Sequence, residues 1–248
     1  MDDDRNAARA RRRPGPLRLI WDWTRSLFFA LILFLVVRTF LVEAFKIPTS
    51  SMERTLLVGD FLLVNKAVYG ADVPLLGMKL PAWREPHRGD VVVFNPPHDP
   101  LKNYVKRVVG VPGDTLEMRD KALYVNGVEM HEDYARHIDR SGADAVHPNM
   151  TWQRNHLLAR ASGRARSRSG DYRPSRDNWG PIAVPESSFF VLGDNRDNSE
   201  DSRYWGFVSR GAIRGQPWIV YFSFDATSGE RPPWLRAVRW ERVGGRVH

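Results

Sequence analysis

The apolar positions of this chain form one uninterrupted run near the start and short alternating stretches later. Leu27 to Val37 contains only apolar residues, and the apolar character continues to Phe45. As a helix this whole stretch would be about 28 Å long, close to the thickness of about 30 Å of a bilayer's hydrocarbon core. The pattern predicts a transmembrane helix over residues 21–45, preceded over residues 1–20 by a polar, disordered tail whose prolines prevent a helix.

The residues that flank the apolar run predict its orientation. Arginines are frequent before it and rare directly after it, which favours a cytoplasmic N-terminus. Trp21 and Trp23 lie where interfacial aromatic residues are expected. A cleaved secretory signal is an alternative, because the basic start, the apolar run and Val42-Glu43-Ala44 also fit that class. A buried core helix is a third interpretation.

From Gly59 onwards, short apolar stretches alternate with turns rich in Gly, Asp and Pro, which predicts strands. Asn126-Gly127 is a strong hairpin signal. Residues 129–180 are polar and rich in arginine, without a clear period, and predict a partly flexible insertion. The β pattern is thereby divided into residues 46–128 and 181–248. The predicted strands are Phe61–Val64, Val91–Phe94, Asn103–Val109, Leu123–Val125, Ile182–Val184, Ser188–Leu192 and Trp218–Phe224.

Composition limits the functional classes. The chain has 248 residues, 42% of them apolar, so it can bury a sizeable core. It has no cysteine, which excludes disulfides and thiolate chemistry. The net charge of +8 would suit nucleic acid, but no recognition motif accompanies it. We therefore expect membrane phospholipid as a partner and no nucleic acid.

Candidate chemistry begins directly after the apolar run, where Thr49, Ser50 and Ser51 are consecutive hydroxyl residues. A serine needs a base to become a nucleophile, and none of the seven histidines lies at the end of a predicted strand. Lys106 lies in a predicted strand and is the alternative base. Its pKa would have to fall from about 10.4 to about 8, about 3–4 kcal/mol, which burial among apolar side chains can supply. An ordinary surface lysine is the competing interpretation.

The segment Gly193 to Gly206 is dense in Asp, Asn, Ser and Arg, which is typical of a loop of Asx-turns. The spacing of its Asp and Asn residues is partly that of a calcium loop, but the glycine and glutamate that an EF-hand needs are missing. We predict a polar turn braced by Asp–Arg pairs, with Ser199 as a hydrogen-bond partner. No metal and no cofactor is predicted.

Together these segments resemble the bacterial type I signal peptidases, or leader peptidases, which are membrane-bound Ser/Lys endopeptidases. The resemblance covers about half of the chain and leaves out residues 1–20 and 129–180. It rests on five ordered blocks: Phe45-x-Ile47-Pro48-Thr49-x-Ser51-Met52, Gly59-Asp60-x-x-Leu63-Val64-x-Lys66, Arg88-Gly89-Asp90-Val91-Val92-Val93-Phe94, Tyr104-Val105-Lys106-Arg107-Val108-Val109-Gly110-x-Pro112-Gly113-Asp114, and Gly193-Asp194-Asn195-Arg196-Asp197-Asn198-Ser199-x-Asp201-Ser202-Arg203.

The resemblance implies a mainly β fold: an antiparallel coiled two-sheet β core with an inserted smaller region, preceded by one N-terminal transmembrane helix. It implies that Ser51 attacks the scissile carbonyl and that Lys106 is the general base and then the general acid. Thr49 and the Ser51 N–H would form the oxyanion hole, and Ser199 would orient the Lys106 amine. Asp194, Asp201, Arg203 and Arg107 would be structural supports. Small residues of Ala-x-Ala sites would bind in pockets lined by Phe45, Ile47, Pro48, Met52, Leu56, Tyr104 and Val105.

The same resemblance implies preprotein signal peptides as substrates, a monomer, and a single span in the bacterial inner membrane with a periplasmic catalytic domain. Two positions depart from the family pattern: Thr49 replaces the serine common in Gram-negative members, and Arg54 stands where proline is usual. Two other functions fit parts of the pattern. One is a self-cleaving or regulatory Ser/Lys peptidase, and the other is a membrane-tethered β-domain that only binds exported chains or cell-wall components.

Overall fold

The computed structural model describes most of the chain, and antiparallel strands dominate it. Most of the expected basic tail lies outside the described residues, as does the middle of the expected insertion. The described ranges are 15–73, 77–142, 144–158, 172–225 and 237–248.

The first element of the described residues is a long apolar helix, α1 (Pro16–Val36), which continues into a short π-helical turn, Val37–Leu41. The most apolar 18-residue window of Leu17–Leu41 has a mean hydropathy of 1.9, and none of that window is buried against the rest of the protein. An apolar helix with no protein face to cover it is typical of a membrane span, although a signal sequence has the same properties. Membrane anchoring is thus suggested, as the sequence indicated.

The expected boundaries of the span, residues 21–45, differ from the observed helix at both ends. Pro16 begins the helix, so residues 16–20 of the expected tail are helical. Proline suits the first helical position, where its missing N–H and fixed φ cost nothing. At the other end, Val42–Lys46 is a strand that pairs with Phe61–Asn65. A short apolar stretch alone does not distinguish a helix from a strand. Here the pairing with Phe61–Asn65 makes Val42–Lys46 a strand.

Within the described residues the helices and strands follow one another in short succession. In chain order they are α1 (Pro16–Val36), β1 (Val42–Lys46), β2 (Asp60–Asn65), β3 (Asp72–Val73), β4 (Met78–Lys79), β5 (Val91–Phe94), β6 (Tyr104–Gly110), β7 (Thr115–Arg119), β8 (Ala122–Val125), β9 (Val128–Glu129), β10 (Trp179–Ala183), β11 (Ser188–Leu192), α2 (Ser202–Trp205), β12 (Val208–Ser209) and β13 (Ile213–Ser223).

Seven of these strands form one antiparallel sheet in the order β1-β2-β13-β5-β6-β11-β12. Strand β13 pairs with both β2 and β5, and its register with β2 shifts between Pro217 and Ile219 and again between Val220 and Phe222. Such irregularities bend a strand and increase its twist, so the sheet curls. The expected mainly β fold with a coiled antiparallel core is confirmed.

A second sheet of four strands, β10-β7-β8-β9, packs beside the first. The predicted hairpin is present: Val125 pairs with Val128, and Asn126 and Gly127 have φ of 54° and 82°. Two positive φ values are what a two-residue hairpin turn requires. A core cluster joins the sheets, because Val109 of β6 and Phe190 of β11 pack with Leu116 and Ile182.

The described parts of the expected insertion pack against this core. The 3₁₀ segment Pro148–His156 buries Met150 and Gln153 completely. Gln153 donates to the carbonyl of Arg203 at 3.1 Å, which ties the segment to α2. Residues 143 and 159–171, the other part of the expected flexible region, lie outside the described residues.

Candidate active site

The segment that carries Ser51 is a loop closed at its base by the β1–β2 ladder. The N–H of Ile47 donates to Asp60 O at 2.8 Å, and the N–H of Gly59 donates to Ile47 O at 3.0 Å. Met52 and Leu56 pack inside the core cluster between these ends. The buried side chains of Met52 and Leu56 therefore hold the loop in place. Ser51 lies directly before Met52 and is held with it.

Ser51 and Lys106 are in direct contact. The Lys106 Nζ lies 2.5 Å from the Ser51 Oγ, although the two residues are 55 positions apart in sequence. Lys106 comes from the third position of β6, where Val92 of β5 is its cross-strand partner. Its side chain is only 4% exposed, so the surface-lysine interpretation is wrong.

Burial gives Lys106 the protonation behaviour that a base needs. It lowers the pKa of this amine from 10.5 to about 8, against opposing contributions from the Asp201 and Asp194 carboxylates. The cause is the loss of water around the charged form. At a pH near 8 about half of the molecules therefore carry a neutral amine whose lone pair faces the Ser51 hydroxyl.

Thr49 flanks the nucleophile candidate on the exposed side. Its Oγ1 lies 3.5 Å from the Ser51 Oγ. Among the described residues the Ser51 N–H donates to no group, so it remains available to an oxygen at this position. A threonine hydroxyl and a backbone N–H next to one serine Oγ are the donor types of an oxyanion hole.

The polar segment 193–203 lies against the other side of the Ser51 loop. The Asn195 N–H donates to Ser51 O at 3.1 Å, and the Asn195 side chain donates to Ser50 O at 3.2 Å. Asn198 Nδ2 donates to the Ser50 hydroxyl at 2.8 Å. The Ser50 side chain thus attaches the loop to this segment.

Ser199 is buried beside this junction, and within the described residues no hydrogen bond joins it to Lys106. It is 8% exposed, and its Oγ has no hydrogen-bond partner among the described residues. Gly193 separates it from Ser51: a Cβ at Gly193 would lie 2.5 Å from Ser51 O and would overlap the Ser199 hydroxyl. The expected orienting role of Ser199 stays a prediction.

The four expected structural supports form two buried ion pairs. Arg107 donates from Nε and NH2 to Asp194 at 2.8 and 2.7 Å. Arg203 donates to both oxygens of Asp201 at 2.8 Å. Burial raises the pKa of Asp201, but Arg203 more than offsets this and holds that pKa below its usual range. Each guanidinium meets its carboxylate with two hydrogen bonds, the arrangement that best offsets the cost of burying charge.

These pairs fix the polypeptide around the catalytic candidates. Asp201 accepts from the Gly193 N–H at 3.1 Å and caps α2. Asp194 accepts from the Thr55 hydroxyl at 2.5 Å, so the Ser51 loop and the 193–203 segment share one buried carboxylate. Removing Asp194 would leave Arg107 charged and buried without its partner.

The expected insertion contributes supports that the sequence did not reveal. Arg196, which is 1% exposed, pairs with Glu132 through two hydrogen bonds of 2.6 and 2.7 Å. The Tyr134 ring lies 3.9 Å from the Arg107 guanidinium. Arg136 pairs with Asn195 as an isolated bridge. No spacing in a polar segment of this kind distinguishes such residues from solvated ones, so the sequence held no signal for them.

A groove of about 470 Å³ opens at Ser51 and Lys106 between the end of β1 and the start of β6. Phe45, Ile47, Pro48, Met52, Tyr104 and Val105 line it. Leu56 does not, because the helical turn that its N–H closes to Met52 O at 2.8 Å directs it into the core, where it is 0% exposed. The groove is also lined by polar residues, namely Lys46, Lys102, Asn103, Asn198 and Glu200. Asn198 and Glu200 flank Ser199 in the polar segment 193–203.

Nothing in the described ranges resembles a metal centre: no three His, Cys, Asp or Glu side chains are grouped there to hold an ion. The groups that surround the Ser51 hydroxyl are the Lys106 amine, the Thr49 hydroxyl and the Ser51 N–H.

A sequence profile of the family described as signal peptidase, peptidase S26, matches residues 20–222. The chain belongs to this family. It is accordingly a serine-type peptidase, a hydrolase, with signal peptidase I function.

Similar proteins agree with this membership. A signal peptidase I of Pseudomonas aeruginosa is 43% identical over 218 residues, which cover 83% of this chain and 74% of that protein. A signal peptidase I of Pseudomonas fluorescens is 42% identical, over 91% of this chain and 79% of that protein. The crystal structure of a signal peptidase I from Enterococcus faecalis is 32% identical, covers 54% of this chain and 97% of that chain, and has a TM-score of 0.35.

Proposed function

We propose that this chain is a membrane-anchored endopeptidase that cleaves signal peptides from exported preproteins after small residues, with Ser51 as nucleophile and Lys106 as base. The observation that carries the proposal is the 2.5 Å contact between the Lys106 amine and the Ser51 hydroxyl. A buried lysine with a pKa of about 8 has few structural uses, because burying it lowers stability at neutral pH.

The reaction follows from these two groups. The neutral Lys106 amine takes the Ser51 proton as Oγ bonds to the scissile carbonyl carbon, and the carbonyl oxygen becomes an oxyanion between the Ser51 N–H and the Thr49 hydroxyl. As the tetrahedral intermediate collapses, the C–N bond breaks, and Lys106 gives its proton to the leaving amine. Water then attacks the acyl-enzyme while Lys106 again accepts a proton. The returned proton restores Ser51 and releases the carboxylate.

The groove supports a preference for small residues at positions −1 and −3 of the substrate, the Ala-x-Ala pattern. Ile47 and Met52 are buried, and Phe45, Tyr104 and Val105 are half-buried, so the groove floor is apolar and formed by packed side chains. A substrate side chain that reaches below this floor would have to displace packed core residues, which costs energy in close-packed interiors, and this favours small side chains.

The strand that follows the apolar helix supports retention of this helix as an anchor rather than its removal as a signal sequence. Val42–Lys46 makes all five of its pairs with β2, and cleavage after Ala44 would cut this edge strand. We propose a single span in the bacterial inner membrane, with a cytoplasmic N-terminus, a periplasmic catalytic domain, contacts to phospholipid and a monomeric state. A regulatory, self-cleaving Ser/Lys peptidase is less well supported, since such proteins are generally soluble and coupled to a DNA-binding domain.

The test is processing of a purified preprotein by the full chain in detergent. Ser51→Ala and Lys106→Ala should each abolish cleavage, because one removes the nucleophile and the other the base. Near wild-type turnover of either variant would refute the dyad. Thr55→Ser is a matched control in the same loop: it keeps the hydroxyl that donates to Asp194 and should cleave as the parent does.

A further inference from the structure

A second, more polar pocket of about 320 Å³ adjoins the groove. Residues 197–200 form one wall, and His147, Asn149 and Tyr204 form the other. We call it the polar pocket. Asn198 and Glu200 line both this pocket and the groove, so the two cavities adjoin at these residues.

The reacting groups lie at the junction of the two cavities. Ser51 and Lys106 line the groove, whereas Ser199 lines the polar pocket. Gly193 lies between them, in contact range of both Ser199 and Ser51 O. A peptide whose scissile bond reaches Ser51 would therefore have the groove on one side of that bond and the polar pocket on the other.

One cavity is apolar and the other polar, and the signal peptide and the start of the mature chain of a preprotein differ in the same property. The groove has the apolar floor contributed by Phe45, Ile47 and Val105, and it starts at β1, which directly follows the apolar helix. The polar pocket presents carboxylate, amide, hydroxyl and imidazole groups. The apolar signal peptide fits the first, and the polar start of the mature chain fits the second.

Glu200 is the charged group that a ligand would meet at the junction. It is exposed, and within the described residues it forms no ion pair. The other carboxylate of the pocket, Asp197, is 1% exposed and lies 3.2 Å from Arg176 and 3.6 Å from Lys121. In the groove, Lys102 is paired with Asp99 at 2.7 Å. An incoming side chain would thus meet an uncompensated negative charge.

We propose that the polar pocket receives the first residues of the mature chain, and that Glu200 makes it favour basic over acidic side chains there. The proposal rests on the endopeptidase function above and extends it to the leaving side of the scissile bond. Glu200 is a specificity-determining residue in this scheme and takes no part in the bond changes.

The test uses the full chain in detergent and three peptides with one Ala-x-Ala site, which differ only in Lys, Gln or Glu at the second residue after the cleaved bond. We expect kcat/KM for the Lys peptide to exceed that for the Glu peptide about three- to tenfold, the range for one partly exposed charge pair formed or opposed. Glu200→Gln should bring this ratio close to one, and Glu200→Lys should invert it.

The ratio is the decisive readout because any change in the Lys106 pKa affects both peptides equally. Glu186→Gln removes an exposed carboxylate outside both cavities and should leave the ratio as it is. A ratio unchanged in Glu200→Gln, or lost equally in Glu186→Gln, overturns the proposal. If the parent cleaves the Gln peptide while Glu200 has no effect, the endopeptidase function stands and the leaving-side assignment alone fails. If no peptide is cleaved, the function itself fails.

Discussion

The buried amine of Lys106 should make the protein less stable at neutral pH than a variant without it. The change that tests this is Lys106→Met, which keeps an unbranched side chain of similar length and removes the ionisable group. In the native state the pKa falls from 10.5 to about 8 because the charged form loses water. Two to three pKa units correspond to about 3 kcal/mol.

The sign follows from proton binding in the two states. Between about pH 8 and 10.5 the unfolded chain holds the proton that the folded chain has lost, so the free energy of unfolding rises with pH in this window. Below pH 8 both states are protonated, and the parent carries the full penalty of about 3 kcal/mol. Above 10.5 both are neutral, and the penalty is absent. Losing the hydrogen bond to Ser51 costs the variant about 1 kcal/mol at every pH.

The net expectation is that Lys106→Met is more stable than the parent by about 2 kcal/mol at pH 7 and that this advantage is lost by pH 10. For a chain of this size 1 kcal/mol moves Tm by about 2–4 °C, so the difference in Tm at pH 7 should be about 4–8 °C. Thermal unfolding in detergent, followed by near-ultraviolet circular dichroism at pH 7, 8.5 and 10, measures it.

Lys102→Met is the matched control. Lys102 is exposed and pairs with Asp99, whose hydrogen bond raises the pKa of Lys102 rather than lowering it. Its variant should therefore follow the parent over the same pH range. A difference in Tm between Lys106→Met and the parent that is constant from pH 7 to 10 would refute the argument that Lys106 is a desolvated amine.

Two further expectations concern the reaction rate. Thr49→Val removes a hydroxyl 3.5 Å from the Ser51 Oγ and should lower kcat by about 10²-fold; an effect on KM alone would contradict an oxyanion role, and Thr49→Ser should retain most activity. Ser199→Ala should lower kcat/KM by about 10²-fold and shift the rising limb of its pH profile, which in the parent should level off above pH 8. A Ser199→Ala enzyme with the parent's rate and profile would show that this buried hydroxyl does not orient the amine.

The sequence predicted the strands well where the apolar pattern and the turn residues agree. Val91–Phe94 was predicted with its observed bounds, because a short apolar stretch bounded by turn residues favours a strand over a helix. Lys106 was identified by the absence of a suitable histidine and by its place in a β stretch. Its burial could not be predicted, since that depends on β5 and on the Ser51 loop, which are distant in sequence.

The errors arise where long-range pairing overrides local pattern. Val42–Lys46 continues the apolar run, and only its pairing with β2 makes it a strand. Leu56 has the apolar character of a groove residue, but one helical turn after Met52 directs it into the core. Glu132 lies in a segment that looks solvated, and its burial depends on Arg196, which is 64 positions away.

The arrangement of Ser51 and Lys106 reconciles two requirements that oppose each other. A lysine base has to be dry to lose its proton, whereas a nucleophile has to be reachable by a polypeptide. Here Lys106 is 4% exposed, and its amine contacts the half-buried Ser51 side chain at the groove that both residues line. A substrate filling the groove would exclude the remaining water from both groups, and this would favour the neutral amine further. In the proposed mechanism binding and activation are thus linked, because the same contact that presents the scissile bond to Ser51 completes the desolvation of Lys106.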